Sequence, residues 1–121
     1  MDITENKKWL YNHNVPILEM EILILQGIIV DTKQGMYSKY NSHAAKLFID
    51  YINKCIGRVK TDIECITQLI NCVKKENYRQ ILTYKHIQGL SFEEIADKIH
   101  YSTPHTQRIY KQALAEIAIP K

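Results

Sequence analysis

Gly89-Leu90-Ser91-Phe92-Glu93-Glu94-Ile95-Ala96-Asp97-Lys98-Ile99-His100-Tyr101-Ser102-Thr103-Pro104-His105-Thr106-Gln107-Arg108-Ile109-Tyr110 carries two helix starts within about twelve residues. Ser91 followed by Glu94 is a capping box, in which each side chain serves the other's backbone N–H. The helix it opens runs through Ile95, Ala96 and Ile99. A turn at His100-Tyr101 follows, with Tyr101 as an apolar plug. Ser102 or Thr103 then caps a second helix, and Pro104 suits its first position because a missing N–H costs nothing there. That helix runs through Thr106, Ile109, Tyr110, Ala113, Leu114 and Ile117 to about Ile119, before Pro120.

A helix, a short turn and a second helix make the frame of a helix-turn-helix. Ala96 sits where the pair meets, and a small side chain permits close approach. Ile109 and Ala113 look back at the core. His105, Gln107, Arg108, Lys111 and Gln112 are left for the outside. In such units the N-terminal turns of the second helix reach base edges. Gln and Arg suit bidentate contacts to bases, while Ser102, Thr103 and Lys111 suit phosphate. The expected DNA contacts are therefore Ser102, Thr103, Pro104, His105, Gln107, Arg108, Lys111 and Gln112.

Upstream, Tyr78, Ile81, Leu82, Lys85 and His86 form a short amphipathic helix that Gly89 stops. Together, Gly89-Leu90-Ser91-Phe92-Glu93-Glu94-Ile95-Ala96, Tyr101-Ser102 and Arg108-Ile109-Tyr110-Lys111-Gln112-Ala113-Leu114 resemble the C-terminal promoter-recognition domain of bacterial sigma factors. The match starts near Tyr78 and covers about forty residues. Ile81-Leu82-Thr83-Tyr84-Lys85-His86 is a looser version of that family's hydrophobic-Leu-x-x-Arg-Tyr pattern. By resemblance, Thr103, Pro104, Gln107 and Arg108 take the base- and phosphate-facing positions. Pro104 and Gln107 depart from the charged residues often found there. A lone domain of this type after a helical N-terminal part is similar to small phage late-gene regulators of the ArpU and RinA kind. That resemblance implies a cytoplasmic transcription regulator bound to double-stranded DNA in a bacterial host, with RNA polymerase as a candidate second partner.

Further upstream, Ala45, Phe48, Ile52, Cys55, Val59, Ile63, Ile66, Ile70 and Val73 recur at spacings of three or four from Ser42 onward. That is one amphipathic helix of roughly 45 Å at 1.5 Å per residue. Gly57 marks a candidate kink. The stripe resembles a coiled-coil seam, open both to packing within the chain and to packing across a homodimer. The segment Ile3 to Val30 is mostly helical in pattern, with Pro16 opening a second helix after Asn12-His13-Asn14. Ile17 to Leu25 also reads as a buried strand; helix is preferred because no partner strand is evident. Asp31 to Asn41 reads as a loop. The division expected is 1–41 as N-terminal helical segment and linker, 42–76 as long amphipathic helix, and 77–121 as DNA-binding domain.

The expected fold class is thus all-α. At 121 residues, 45% apolar and 24% charged, the chain fits an ordinary globular domain. Four Gly and three Pro leave little room for a loop-rich β fold. The most apolar window, Ile17 to Val30, is too short to span a bilayer, so no membrane is expected. Nor does Met1-Asp2 with Glu5, Lys7 and Lys8 look like a signal peptide. The net charge of +3 is modest, but residues 1–40 carry −1 while 41–76 and 77–121 carry +2 each. This distribution is compatible with nucleic acid. Cys55, Cys65 and Cys72 lack metal spacing and read as small core or interface residues. His13, His43, His86, His100 and His105 are scattered, and no Gly-rich phosphate loop is present. No catalytic residue, metal site or cofactor is expected. The competing classes are a phage small terminase subunit, which joins a helix-turn-helix to an oligomerising region, and a sigma-domain mimic that binds polymerase. The mimic would need an acidic recognition helix, and Glu116 is the one acidic residue after Asp97.

Overall fold

The computed structural model describes residues 9–35 and 42–117. Every regular element among them is a helix. We number them α1 (Val15–Gln34), α2 (Ser42–Asn71), α3 (Glu76–Leu82), α4 (Phe92–Ile99) and α5 (Thr103–Ala115). No helix among the described residues is long and apolar enough to cross a membrane.

The segment that reads as either strand or helix is helix. In α1, Asn14 Oδ1 accepts the N–H of Ile17 at 3.0 Å, and Pro16 falls in the first turn where no N–H is needed. The helix runs on to Gln34, so the expected loop begins four residues late; its remaining residues, 36–41, lie outside the described ones. Thr32 stays helical while buried because its hydroxyl donates to Ile28 O at 2.8 Å.

α2 is a thirty-residue helix that continues through Gly57 without a break. The intrinsic cost of an interior glycine, about 1 kcal/mol, is outweighed by the packing of its apolar face. That face differs from the stripe read from the sequence. Ala45, Ile49, Ile52, Ile56 and Val59 are buried, then Ile66, Leu69 and Ile70. Phe48 is 44% exposed, and Cys55 and Ile63 are half-buried. The sequence offers two apolar lines one residue apart, and packing takes the one through Ile49 and Ile56. Val73 is buried but lies past the helix end, where its N–H bonds to Ile70 O. Cys65 and Cys72 are exposed, so neither is a core residue.

Contacts gather the described chain into two compact units: residues 9–17 with 63–117, and residues 18–62. In the first unit α5 packs on both α3 and α4. Its core holds Leu10, Ile66, Ile70, Tyr78, Ile81, Leu82, Ile95, Ala96, Ile109, Tyr110 and Ala113. The N-terminal segment is part of this core: Leu10 is fully buried and the Tyr11 ring lies 6.3 Å from that of Tyr110. The expected helix Tyr78–His86 is α3 followed by a π turn, Thr83–Ile87, closed by Gln88 N–H to Thr83 O at 3.0 Å. Gly89 ends it at φ +73°, and a Cβ there would stand 3.0 Å from Pro16 Cγ. Both the left-handed backbone and the close approach favour glycine.

Candidate nucleic-acid interface

The local chemistry that builds this site is the chemistry of its caps. Ser91 Oγ accepts the Glu94 N–H and Glu94 Oε1 accepts the Ser91 N–H, both at 3.2 Å, so the capping box forms with both bonds. α4 ends at His100, whose backbone is left-handed (φ 62°, ψ 39°), and Tyr101 N–H bonds to Ala96 O at 3.1 Å. A non-glycine residue at that φ is uncommon, and it turns the chain sharply after the last helical carbonyls are satisfied. Ser102 is the cap of α5, accepting the His105 N–H at 3.2 Å. Thr106 is fully buried with its hydroxyl on Ser102 O at 2.9 Å. Pro104 takes the second helical position, one later than expected, and α5 ends at Ala115. Ile117 is buried beyond the helix; the expected continuation over 118–119 lies outside the described residues.

These bonds fix which side of α5 is open. Thr106, Ile109, Tyr110 and Ala113 are buried, while Pro104, Gln107, Arg108, Lys111 and Gln112 are exposed. Thr103 and His105 are half-buried, and Ser102 is exposed. The eight expected contact residues are thus brought to the outer side and start of one helix, but they are not equally free. Ser102 spends a lone pair on its cap and keeps its hydroxyl proton to donate. Gln112 Oε1 accepts from Tyr78 Oη at 3.2 Å, which ties it to α3. His105 Nδ1 lies 3.5 Å from Arg108 Nη2, and its ring meets Tyr101 edge-on at 4.8 Å. Gln107, Arg108 and Lys111 are exposed polar groups of α5 that serve neither cap. The first turn offers few free N–H groups, since Pro104 has none and that of His105 serves Ser102.

Tyr101 corrects one expectation. It is 50% exposed and plugs nothing. The positive φ of His100 swings the chain outward there, and Tyr101 lies over His105 instead. The apolar role is taken by Phe92 and Tyr110, whose rings meet edge-on at 5.1 Å.

Behind α5 is a buried polar chain that sequence reasoning missed. His86, 1% exposed, meets the His13 carbonyl with Nδ1 and the Tyr110 hydroxyl with Nε2, each at 2.7 Å. A carbonyl only accepts, so Nδ1 carries the proton, and Tyr110 donates to Nε2. The ring is neutral: burial pushes its pKa below the ordinary 6.5, against the raising effect of the His13 carbonyl, and Lys85 lowers it further. Burial also pushes the Tyr110 phenol up, so it keeps its proton. His13 itself stacks on Trp9 at 4.4 Å. Two of the scattered histidines thus join a segment near residue 13 to α5. The signal available was the i,i+4 placement of His86 after Leu82, but nothing local names its partners.

Several cations near the site are already engaged. Arg79 holds Val73 O and Lys74 O at 3.0 and 3.3 Å, and Lys85 stands 4.4 Å above the Phe92 ring. Among the described residues no group of three or more His, Cys, Asp or Glu side chains could hold a metal ion. No family model, curated protein or solved structure matches the chain.

Proposed function

We propose that this chain is a sequence-specific transcription regulator that lays α5, through Gln107, Arg108 and Lys111, in the major groove of double-stranded DNA as a helix-turn-helix recognition helix. One observation carries the reading. Two capped helices are joined by a turn of fixed backbone, and the second is held by its whole inner face while its outer face is polar, basic and free of acidic side chains from Thr103 to Ala115. Rigid presentation of Gln and Arg is what base-edge recognition needs, because bidentate pairs lose their value when the side chains wander. The resemblance of residues 78–114 to the sigma promoter-recognition domain supports the same assignment of faces and favours a small phage regulator over other DNA-binding classes.

The test is selection of bound sites from random DNA, followed by substitution. Arg108→Ala should weaken binding to the selected site by about 1–3 kcal/mol and relax the preference at one base pair. Lys111→Ala should weaken all sequences alike and reduce the salt slope by about 1. Enrichment of no site, with equal binding of both variants to any duplex, would reject the assignment.

A further inference from the structure

Among the described residues, two side-chain hydrogen bonds tie α5 to other elements, and they leave it from opposite flanks. Tyr110 Oη donates to His86 Nε2 in the π turn at 2.7 Å, and the other nitrogen of that ring is fixed in turn by the His13 carbonyl. Gln112 Oε1 accepts from Tyr78 Oη of α3 at 3.2 Å. At about 100° per residue the two positions stand some 160° apart around the helix axis, with Ile109, Ala113 and Thr106 on the arc between them. The anchors are themselves held, since His86 and Tyr78 are both buried.

Burial of Ile109 and Ala113 between these flanks is non-directional, so it holds α5 against the core more firmly than it fixes the helix's roll about its own axis. A hydrogen bond is directional and short-ranged, and two of them on opposite flanks oppose a roll in either sense. The roll matters on the outer side. A turn of about 10° carries a side-chain tip some 6 Å from the axis through about 1 Å, whereas a binding constellation must hold its geometry to about 0.5 Å. A flexible lysine on a phosphate tolerates such a shift; a planar bidentate contact to a base edge does not. We propose that Tyr78, His86, Tyr110 and Gln112 are specificity-determining positioning residues, which lock the roll of α5 and so aim Gln107 and Arg108 at base edges without touching DNA themselves. This rests on the DNA-binding reading above. Within it, Gln112 is a brace and not a base contact.

The readout is the ratio of binding to the selected site over binding to an unrelated duplex, measured on the full chain where each variant is folded. A purely structural role scales both affinities by the same folded fraction and leaves the ratio alone. Tyr78→Phe and Tyr110→Phe remove one hydroxyl each. Each should lower the ratio about tenfold, within the discrimination that one bidentate side-chain–base pair supplies, at unchanged affinity for the unrelated duplex. Tyr78→Phe is the cleaner arm, because the Gln112 amide it releases is exposed to water and the fold loses little. Gln112→Ala should match Tyr78→Phe, and the double variant should fall no further than either. A wild-type ratio in either tyrosine variant would overturn the bracing. So would a Gln112→Ala loss that adds to that of Tyr78→Phe, which is the mark of a direct base contact. Arg108→Ala separates the two levels. If it too spares the selected site, the DNA-binding reading fails and the bracing falls with it; if it alone abolishes the preference, only the bracing fails.

Discussion

The segment 91–117 and the segment 18–34 are both helical and both rich in isoleucine, yet they leave opposite kinds of surface open. In the first, Ile95, Ile109 and Ile117 are buried and the open side of α5 is Gln, Arg and Lys. In the second, Met20, Leu23, Ile24 and Val30 are exposed, so the open side of α1 carries large aliphatic side chains. Both segments can be helical because helix formation asks only for one covered face. What remains open differs in kind: fixed polar groups on α5, and aliphatic side chains such as Leu23 and Ile24 on α1. A single chain of this size has room for both only because each compact unit needs a modest core.

The comparison breaks most easily at an isoleucine. Ile109→Ala should cost about 2–5 kcal/mol in denaturant unfolding, because a filled site becomes a cavity. Leu23→Ala, on the open side of α1, should change the stability of the single chain by less than about 0.5 kcal/mol. Equal costs at the two positions would mean that α1 is covered within its own chain.

The polar chain behind α5 gives the next largest effect. Tyr110→Phe keeps the ring and removes the hydroxyl, which leaves His86 Nε2 buried without a donor. A loss of about 1–3 kcal/mol is expected. The same histidine sets a pH dependence. Its folded pKa is below the ordinary 6.5 while the unfolded chain titrates near that value. Protons therefore bind the unfolded state first. The stabilising contribution of neutral His86 is complete above 6.5, declines as pH falls through 6.5, and stops declining below the lowered folded value. Unfolding free energy measured from pH 7.5 downward should show this decline, and His86→Gln should flatten it. A curve that rises toward acid over that range would exclude a buried neutral ring.

The smallest effects sharpen the account of the turn. Ser91→Ala and Ser102→Ala should each cost about 1 kcal/mol through the loss of one cap. His100→Gly should raise stability by up to about 1 kcal/mol, since glycine takes a left-handed backbone without the Cβ penalty. Tyr101→Ala should be nearly neutral in thermal unfolding, in keeping with a ring that is half exposed.

The local rules of the sequence were sufficient for the helix starts and stops around α4 and α5. The Ser91–Glu94 pair, the cap at Ser102, Pro104 in the first turn and Gly89 at a helix stop all act over four residues or fewer, so they are legible without knowing what lies across the core. The same holds for the outward side of α5, because burying Ile109 and Ala113 leaves Gln107, Arg108 and Lys111 no other place. Packing choices were not legible in the same way. Phe48 and Cys55 against Ile49 and Ile56 is a rotation of one residue, and both lines have helical spacing. Only the surface each helix meets selects one of them. The exposure of Tyr101 followed from a single left-handed residue, His100, whose side chain gives little hint of it. Membership of residues 9–17 in the core with α5, the His13–His86–Tyr110 chain and the space that Gly89 leaves for Pro16 join positions about seventy residues apart. They were decided by the tertiary structure alone, because bonds between segments so distant in the chain depend on how the helices assemble and leave no periodic trace in either segment.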